Sequence, residues 1–146
     1  MMANKKNADL LKVALADSYI LYLKTQNYHW NVTGTHFKSL HLMFEDQYND
    51  LFKAVDLIAE RIRALGEKAP GSFAQYSKLS SIKEGDEYLD DMSMVKDLAK
   101  DQDIIVETLM SVLHQAQDTD DEVTASIVTD RLEVHQKNAW MLNSSL

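Results

Sequence analysis

The chain has 146 residues, a formal charge of −8 at pH 7, 45% hydrophobic and 26% charged residues, which bounds it to one domain with a sizeable core and an average field that repels nucleic acid and anionic membranes while attracting cations. No cysteine is present, which excludes disulfides, thiolate metal sites and cysteine nucleophiles and fits a reducing compartment. One Pro and four Gly are few breakers, so long helices are favoured, and with no leader-like apolar segment or bilayer-length apolar run the expectation is a cytoplasmic protein without a membrane partner.

Residues 1–7 read as a short polar tail and 8–146 as the folded domain. From Ala8 to about Asn31, the apolar residues Leu11, Ala14, Leu15, Leu21, Tyr22 and Tyr28 predict a first helix. It closes with Asn27-Tyr28-His29-Trp30-Asn31 and runs into the turn glycine Gly34. Thr35 to Gly66 then reads as one long helix with two stripes. Phe44, Tyr48, Leu51, Val55, Ile58, Ile62 and Leu65 recur at threes and fours, the pattern of a helix lying along a bundle core. A second face carries His41, Glu45, Asp56 and Glu60. With His41 set at zero, these carboxylates fall at about 40°, 60° and 100° around the helix.

Folding the chain back near residue 35 sets His29 beside His41, so two imidazoles converge at one end of a helical hairpin. One chain cannot gather all four ligand types of the second helix into one site. At about 1.5 Å per residue, His41 and Glu60 are about 28 Å apart along the axis, whereas a ligand atom sits about 2 Å from its metal. A second copy of the helix, packed antiparallel across a two-fold axis near residues 50 and 51, brings His41 level with the other copy's residue 60 and Glu45 level with its residue 56. Leu42, Phe52 and Ala59 share that face and supply apolar surface for the interface. The spacing thus points to a metal site shared between subunits. Imidazole and carboxylate without thiolate suit iron, manganese or zinc, and a weakly ligated, partly open site suits redox iron better than structural zinc.

Gly66 to Asp91 is a long connection, within which Ser72 to Leu79 is expected to form a short helix. A third long helix is predicted from about Met92 to Gln117, with Val95, Leu98, Gln102, Ile105, Leu109, Val112 and Ala116 on its core seam. Asp118-Thr119-Asp120-Asp121-Glu122 makes the turn and opens a fourth helix to about Asn143, where acidic residues complement the helix dipole. Its seam is Ala125, Val128, Leu132, His135, Ala139 and Leu142, with Trp140 beside it. His135 is expected to be a hydrogen-bonded core histidine, and His36 and His114 surface or helix-end residues. The fold class is all-α, a four-helix bundle with a short extra helix between the second and third long helices. The Glu-x-x-His pairs of a ferritin-type intrasubunit di-iron centre are absent, so iron chemistry has to sit elsewhere.

Asn27-Tyr28-His29-Trp30-Asn31-Val32-Thr33-Gly34, then Phe37 and Leu40-His41-x-x-Phe44-Glu45, then Asp56-x-x-Ala59-Glu60-Arg61, together resemble the signature of the Dps proteins, or mini-ferritins. The resemblance implies a ferritin-like bundle and a twelve-subunit hollow shell. It also implies ferroxidase sites at two-fold interfaces, with His29 and His41 from one subunit and Asp56 and Glu60 from its neighbour, Glu45 as a ligand or near-ligand, and two iron ions at each site. The implied activity is oxidation of Fe(II), with hydrogen peroxide as the preferred acceptor, and deposition of ferric oxide inside the shell. By the same resemblance Trp30 takes up stray oxidising equivalents, the alternative being a large residue that fills an interface, and the acidic region around Asp120, Asp121 and Asp130 attracts Fe(II) to an entry pore. The family's other activity, DNA binding, would make this a nucleoid-associated protective protein with secondary ferroxidase activity. Charge and tails disfavour that alternative, because only Lys5, Lys6 and Lys12 stand near the start and no basic extension follows Asn143. A metal-free dimerisation module, with His29 and Asp56 as interface hydrogen-bonding groups, is the third reading.

Overall fold

A computed structural model describes residues 2–146. Five helices are present and no strand occurs among the described residues: α1 (Met2–Asn31), α2 (Phe37–Ala64), α3 (Phe73–Leu79), α4 (Asp91–Asp118) and α5 (Glu122–Asn143). The four long helices are those that the apolar periodicity predicts, and α3 is the short helix expected in the long connection.

Hydrogen bonds between distant residues give the topology. Near the start of α1, Asn7 donates to Thr119 at the end of α4 (3.0 Å), while near its other end Tyr28 donates to Asp97 in the first turns of α4 (2.5 Å). The two helices are therefore antiparallel. Arg61 of α2 donates to Thr124 at the start of α5 (3.0 Å), and Arg131 further along α5 donates to Asp50 (2.8 and 3.1 Å), so α2 and α5 are antiparallel too. With short turns joining α1 to α2 and α4 to α5, the α2 to α4 connection has to travel the length of the bundle. It does so against α1, where Asp17 accepts from the Ser81 amide (2.6 Å) and the Ser80 hydroxyl (3.0 Å).

Each helix is bounded by local chemistry. Ser72 caps α3 by accepting from the Gln75 amide, Asp90 caps α4 through the Ser93 amide (2.8 Å), and Asp121 caps α5 through the Thr124 amide (3.1 Å). α2 ends in a Schellman motif. Gly66 takes φ +95°, its amide bonds to the Arg63 carbonyl (2.9 Å), and the Glu67 amide reaches the Ile62 carbonyl (3.2 Å).

Tyr28, Phe44, Leu51, Ile58, Ile62, Leu98, Ile105 and Leu109 are among the largest fully buried side chains, and they come from the predicted seams of three long helices. The expected polar tail differs. Met1 lies outside the described residues, but residues 2–7 continue α1 rather than preceding it. The cause is tertiary: Asn7 is buried, and its amide donates to Thr119 and to Asp121 (3.0 Å each), which draws the first turns onto the bundle. Trp140, placed beside the fourth seam, is 65% exposed.

Two buried polar networks cross the core. Lys24 on α1, with only 2% of its side chain exposed, pairs with Asp101 (2.7 Å) and Asp97 (3.0 Å) of α4. Burial pushes the Asp101 carboxyl up to about 6 even though the Lys24 ammonium opposes the shift. His135 is fully buried, as its seam position predicts. Its Nδ1–H donates to Gln102 Oε1 (2.7 Å), and its Nε2 accepts from Arg131 (3.1 Å). Burial, and then the Arg131 charge, push His135 down to about 3, so it is neutral. His36 and His114 are exposed, as expected.

Candidate metal centre

The end of α1, the turn and the first turns of α2 position the histidines. Gly34 carries φ +117°, and a Cβ there would stand 2.8 Å from Asp91 Oδ2. Only glycine therefore makes this turn without strain or a clash. The Phe37 amide closes the turn on the Gly34 carbonyl (3.1 Å). The chain folds back as the hairpin reading predicts, and His29 and His41 stack with ring centroids 3.8 Å apart at 12°. Phe37 stacks on the outer face of His41 (4.9 Å, 26°), and Tyr48 meets His29 edge to face (5.2 Å, 69°).

Two reciprocal hydrogen bonds fix the imidazoles. His29 Nδ1–H donates to the His41 carbonyl, and His41 Nδ1–H donates to the His29 carbonyl, both at 2.7 Å. A carbonyl oxygen can only accept, so both Nδ1 atoms carry hydrogen and each Nε2 is left with its lone pair. This is the arrangement that orients a metal-ligating histidine and fixes its tautomer. Glu45, one turn further along α2, joins them: one ligand atom from each of His29, His41 and Glu45 lies within 4.8 Å of the other two. His29 is buried, and His41 and Glu45 are half-buried.

Asp56 and Glu60 lie away from this cluster, further along the same helix, and are exposed. Hydrogen bonding to Asp56, then the Asp56 charge, push the Glu60 carboxyl up from its ordinary value. The two like charges, one turn apart on α2, stand close to each other at the surface. Asp56 lines an open groove with Tyr19, Phe52, Val55, Ala59 and Tyr76, with Phe52 62% exposed. Leu42, on the same side of α2, is also exposed. A single chain thus displays an imidazole cluster with Glu45 toward one end of α2 and a pair of carboxylates toward the other, with exposed apolar surface between.

The acidic turn before α5 divides by role. Burial alone would raise the Asp121 carboxyl, but bonds from Thr124 and Asn7 and the Arg61 charge hold it below the ordinary range. Asp121 is a structural cap, and its Arg61 partner (2.9 Å) is the arginine of the Asp-x-x-Ala-Glu-Arg block. Asp120 and Asp130 are not drawn into that network. Lys24, Asp50, Asp97 and Arg131 lie outside the residues that the sequence points to, though for Lys24 and Arg131 a charged residue on a core stripe is a signal. Lys24 follows Leu21 by three and precedes Tyr28 by four, and Arg131 stands between Val128 and His135.

A ferritin-like domain model matches residues 8–146. DNA protection during starvation protein 2 of Bacillus anthracis is 34% identical over 143 residues, spanning 98% of both chains. A low temperature-induced protein of Nostoc is 38% identical over 138 residues, covering 93% of this chain and 77% of the relative. Among solved structures, antigen TpF1 from Treponema pallidum superposes with a TM-score of 0.96 at 33% identity, covering 100% of this chain and 94% of that one. A Dps protein from Vibrio cholerae, described as a member of a broad superfamily of ferritin-like diiron-carboxylate proteins, gives 0.94 at 34% identity, over 98% and 90% of the two chains. With the His29–His41 hairpin, the four-helix topology and these similarities agreeing over nearly the whole chain, the protein belongs to the Dps family of ferritin-like proteins.

Proposed function

We propose that this protein is an iron-storing ferroxidase whose site is completed between subunits of a closed, dodecameric shell. The observation that carries the reading is the stacked His29–His41 pair, with both Nδ1 atoms tied to backbone and both Nε2 atoms left to bind. His29 and His41 of one subunit would hold Fe(II) together with Asp56 and Glu60 contributed by its neighbour. Glu45 stands close enough to the imidazoles to serve a second ion.

In this reading Fe(II) is substrate rather than resident cofactor. Imidazole and carboxylate donors accept it without demanding a closed tetrahedral shell, and the anionic carboxylates favour the higher iron charge. With two Fe(II) side by side, one hydrogen peroxide takes an electron from each and two protons from solvent, giving two Fe(III) and two waters. The subunit charge of −8 helps concentrate the cation, and ferric oxide then collects within the shell. The net charge argues against DNA as the principal partner, as does the position of Lys5 against Asp9 and Glu67 and of Lys12 against Asp9.

Complementation tests the shared site. His41→Ala and Glu60→Ala each remove iron oxidation from their own shells. When the two variants are unfolded together and reassembled, every mixed pair regains one intact site from the wild-type histidines of one chain and the wild-type carboxylates of the other. Random pairing across a two-fold axis restores about one quarter of wild-type sites. A mixed shell as inactive as its parents would refute sharing, and full activity in either parent would refute the ligand set.

A further inference from the structure

Beneath the connection between α2 and α4 lies a buried cluster of one ammonium and two carboxylates. Lys24 of α1, with 2% of its side chain exposed, stands 2.7 Å from Asp101 and 3.0 Å from Asp97 of α4, and the Asp101 side chain is itself 4% exposed. With both carboxylates ionised the cluster has one negative charge in excess, and a single added proton makes it neutral, which burial favours. The connection rests directly on these groups. A Cβ on Gly85 would stand 3.0 Å from Lys24 Cγ and 3.1 Å from the Tyr28 ring, so the backbone lies against the lysine stem. The Asp86 amide donates to the Tyr28 hydroxyl (3.3 Å), and that hydroxyl donates to Asp97. Lys24 also lines an open groove of about 410 Å³ whose walls include Trp30, Glu84 and Glu87, and both glutamates are exposed.

We propose that Lys24 is a proton-operated latch on this connection: paired inward with Asp101 near neutral pH, it turns outward along the groove toward Glu84 and Glu87 on acidification and releases residues 84–87 from α1. Protonated Asp101 no longer offers the ammonium a counter-charge, and Asp97 is already engaged by Tyr28. A lysine stem lets its head travel while its methylenes stay covered. Because Gly85 rests on that stem, an outward turn lifts the backbone and breaks the bond from the Asp86 amide to Tyr28. The charged and titratable groups around Asp101 are Lys24 and Tyr28 of α1, Asp97 and Lys100 of its own helix, and Glu84, Asp86 and Glu87 of the connection. Burial outweighs the Lys24 charge and raises the Asp101 carboxyl to about 6, whereas burial and Asp97 push the Tyr28 phenol up, so it stays a neutral donor. On the other side of α4, α5 presents Arg131 and His135 to Gln102, and His135, held at about 3, keeps its charge state through this range. The latch does not depend on the iron-oxidising reading.

Hydrogen exchange with mass spectrometry on the full-length, metal-free protein tests it, at pH 7.5 and pH 5.5 with labelling times scaled to the intrinsic exchange rate. A carboxyl at about 6 is about 3% protonated at the first pH and about 75% at the second. Exchange within residues 84–89 should therefore rise by about 25-fold in the wild type, while residues 51–62 of α2 stay protected. Asp101→Asn, a neutral isostere, should exchange fast in that segment at both pH values. Replacing both exposed acceptors, Glu84→Gln with Glu87→Gln, should reduce the acid response and leave the protection at pH 7.5 as in the wild type. Equal protection of residues 84–89 at the two pH values in the wild type would overturn the latch. So would an acid response retained in Asp101→Asn or undiminished in the double glutamine variant, and so would a loss of protection spread equally over residues 51–62. The wild-type and double-glutamine measurements decide the matter even where Asp101→Asn does not fold.

Discussion

Replacing His135 by Gln removes a titratable group from the core while keeping a donor for Gln102 and an acceptor for Arg131. In the wild type the imidazole is held neutral, with its pKa lowered from 6.5 to about 3. In that interval the unfolded chain binds a proton that the folded chain refuses. Stability from this residue is therefore complete above the unfolded value and is lost as pH falls from 6.5 toward about 3. Over the whole interval the loss has a ceiling of about 5 kcal/mol, at about 1.4 kcal/mol for each pH unit. Between pH 7 and pH 5.5 the expected loss is about 1.2 kcal/mol, which depends almost entirely on the unfolded value. The assay is denaturant unfolding of metal-free wild type and His135→Gln at both pH values and one fixed protomer concentration, because assembly couples stability to concentration. The variant should lose about 1 kcal/mol less than the wild type over that step. An identical pH dependence in the two proteins would refute a neutral, proton-refusing His135. A variant unstable at both pH values but with the flatter slope would leave the conclusion intact.

Lys24→Met leaves Asp101 buried without its cation and should destabilise the protein by about 3–5 kcal/mol at pH 7.5. The penalty should shrink at pH 5, because a carboxyl already raised to about 6 takes up its proton there; equal penalties at the two pH values would count against burial as the cause. Gly34→Ala forces a side chain into a positive-φ turn and against Asp91, and should cost about 1–3 kcal/mol. It should also slow iron oxidation by displacing His41 from His29, so a variant with wild-type rate and melting temperature would contradict the turn's role. Removing Tyr28's hydroxyl by Tyr28→Phe leaves Asp97 and the Asp86 amide without that partner and should cost about 1–3 kcal/mol, read in the same unfolding assay. Retention on immobilised duplex DNA should be lost at physiological salt, and salt-resistant retention would restore the nucleoid reading.

Much of this arrangement is legible in the residues. The seam of α2 and the convergence of His29 with His41 follow from a 3.6-residue period and one turn glycine, both local properties. The ends of α2 fall within two residues of expectation because Gly34 makes the turn before it and Gly66 the Schellman turn after it. The start of α1 is not legible in the same way. Lys5, Lys6 and Asn7 carry no apolar stripe, and what anchors them to the bundle is a pair of hydrogen bonds from the Asn7 side-chain amide to Thr119 and Asp121, more than a hundred positions away. Lys24 and Arg131 were hidden for a related reason. A charged side chain reads as solvent-facing until its partners are known, and Asp101, Asp97 and Asp50 come from other helices. Spacing placed His135 in the core but did not reveal that Arg131 would fix its tautomer. Asp56 and Glu60 stand apart from the imidazoles within one chain, as the length of α2 requires.

In the proposed shared site both sets of donors lie on α2, and this bears on timing. A newly made chain presents donors at two ends of a rigid rod about 40 Å long, and no bending of that rod can join them. Under that proposal, iron reaching such a chain would meet at most half a coordination sphere. Pairing of two chains would close two complete sites in one step, so the capacity for redox chemistry would appear together with the enclosure that contains its products. If the site is shared as proposed, the subunit interface would act as a safety interlock, and substitutions that weaken pairing should disarm the protein rather than release an unguarded oxidant.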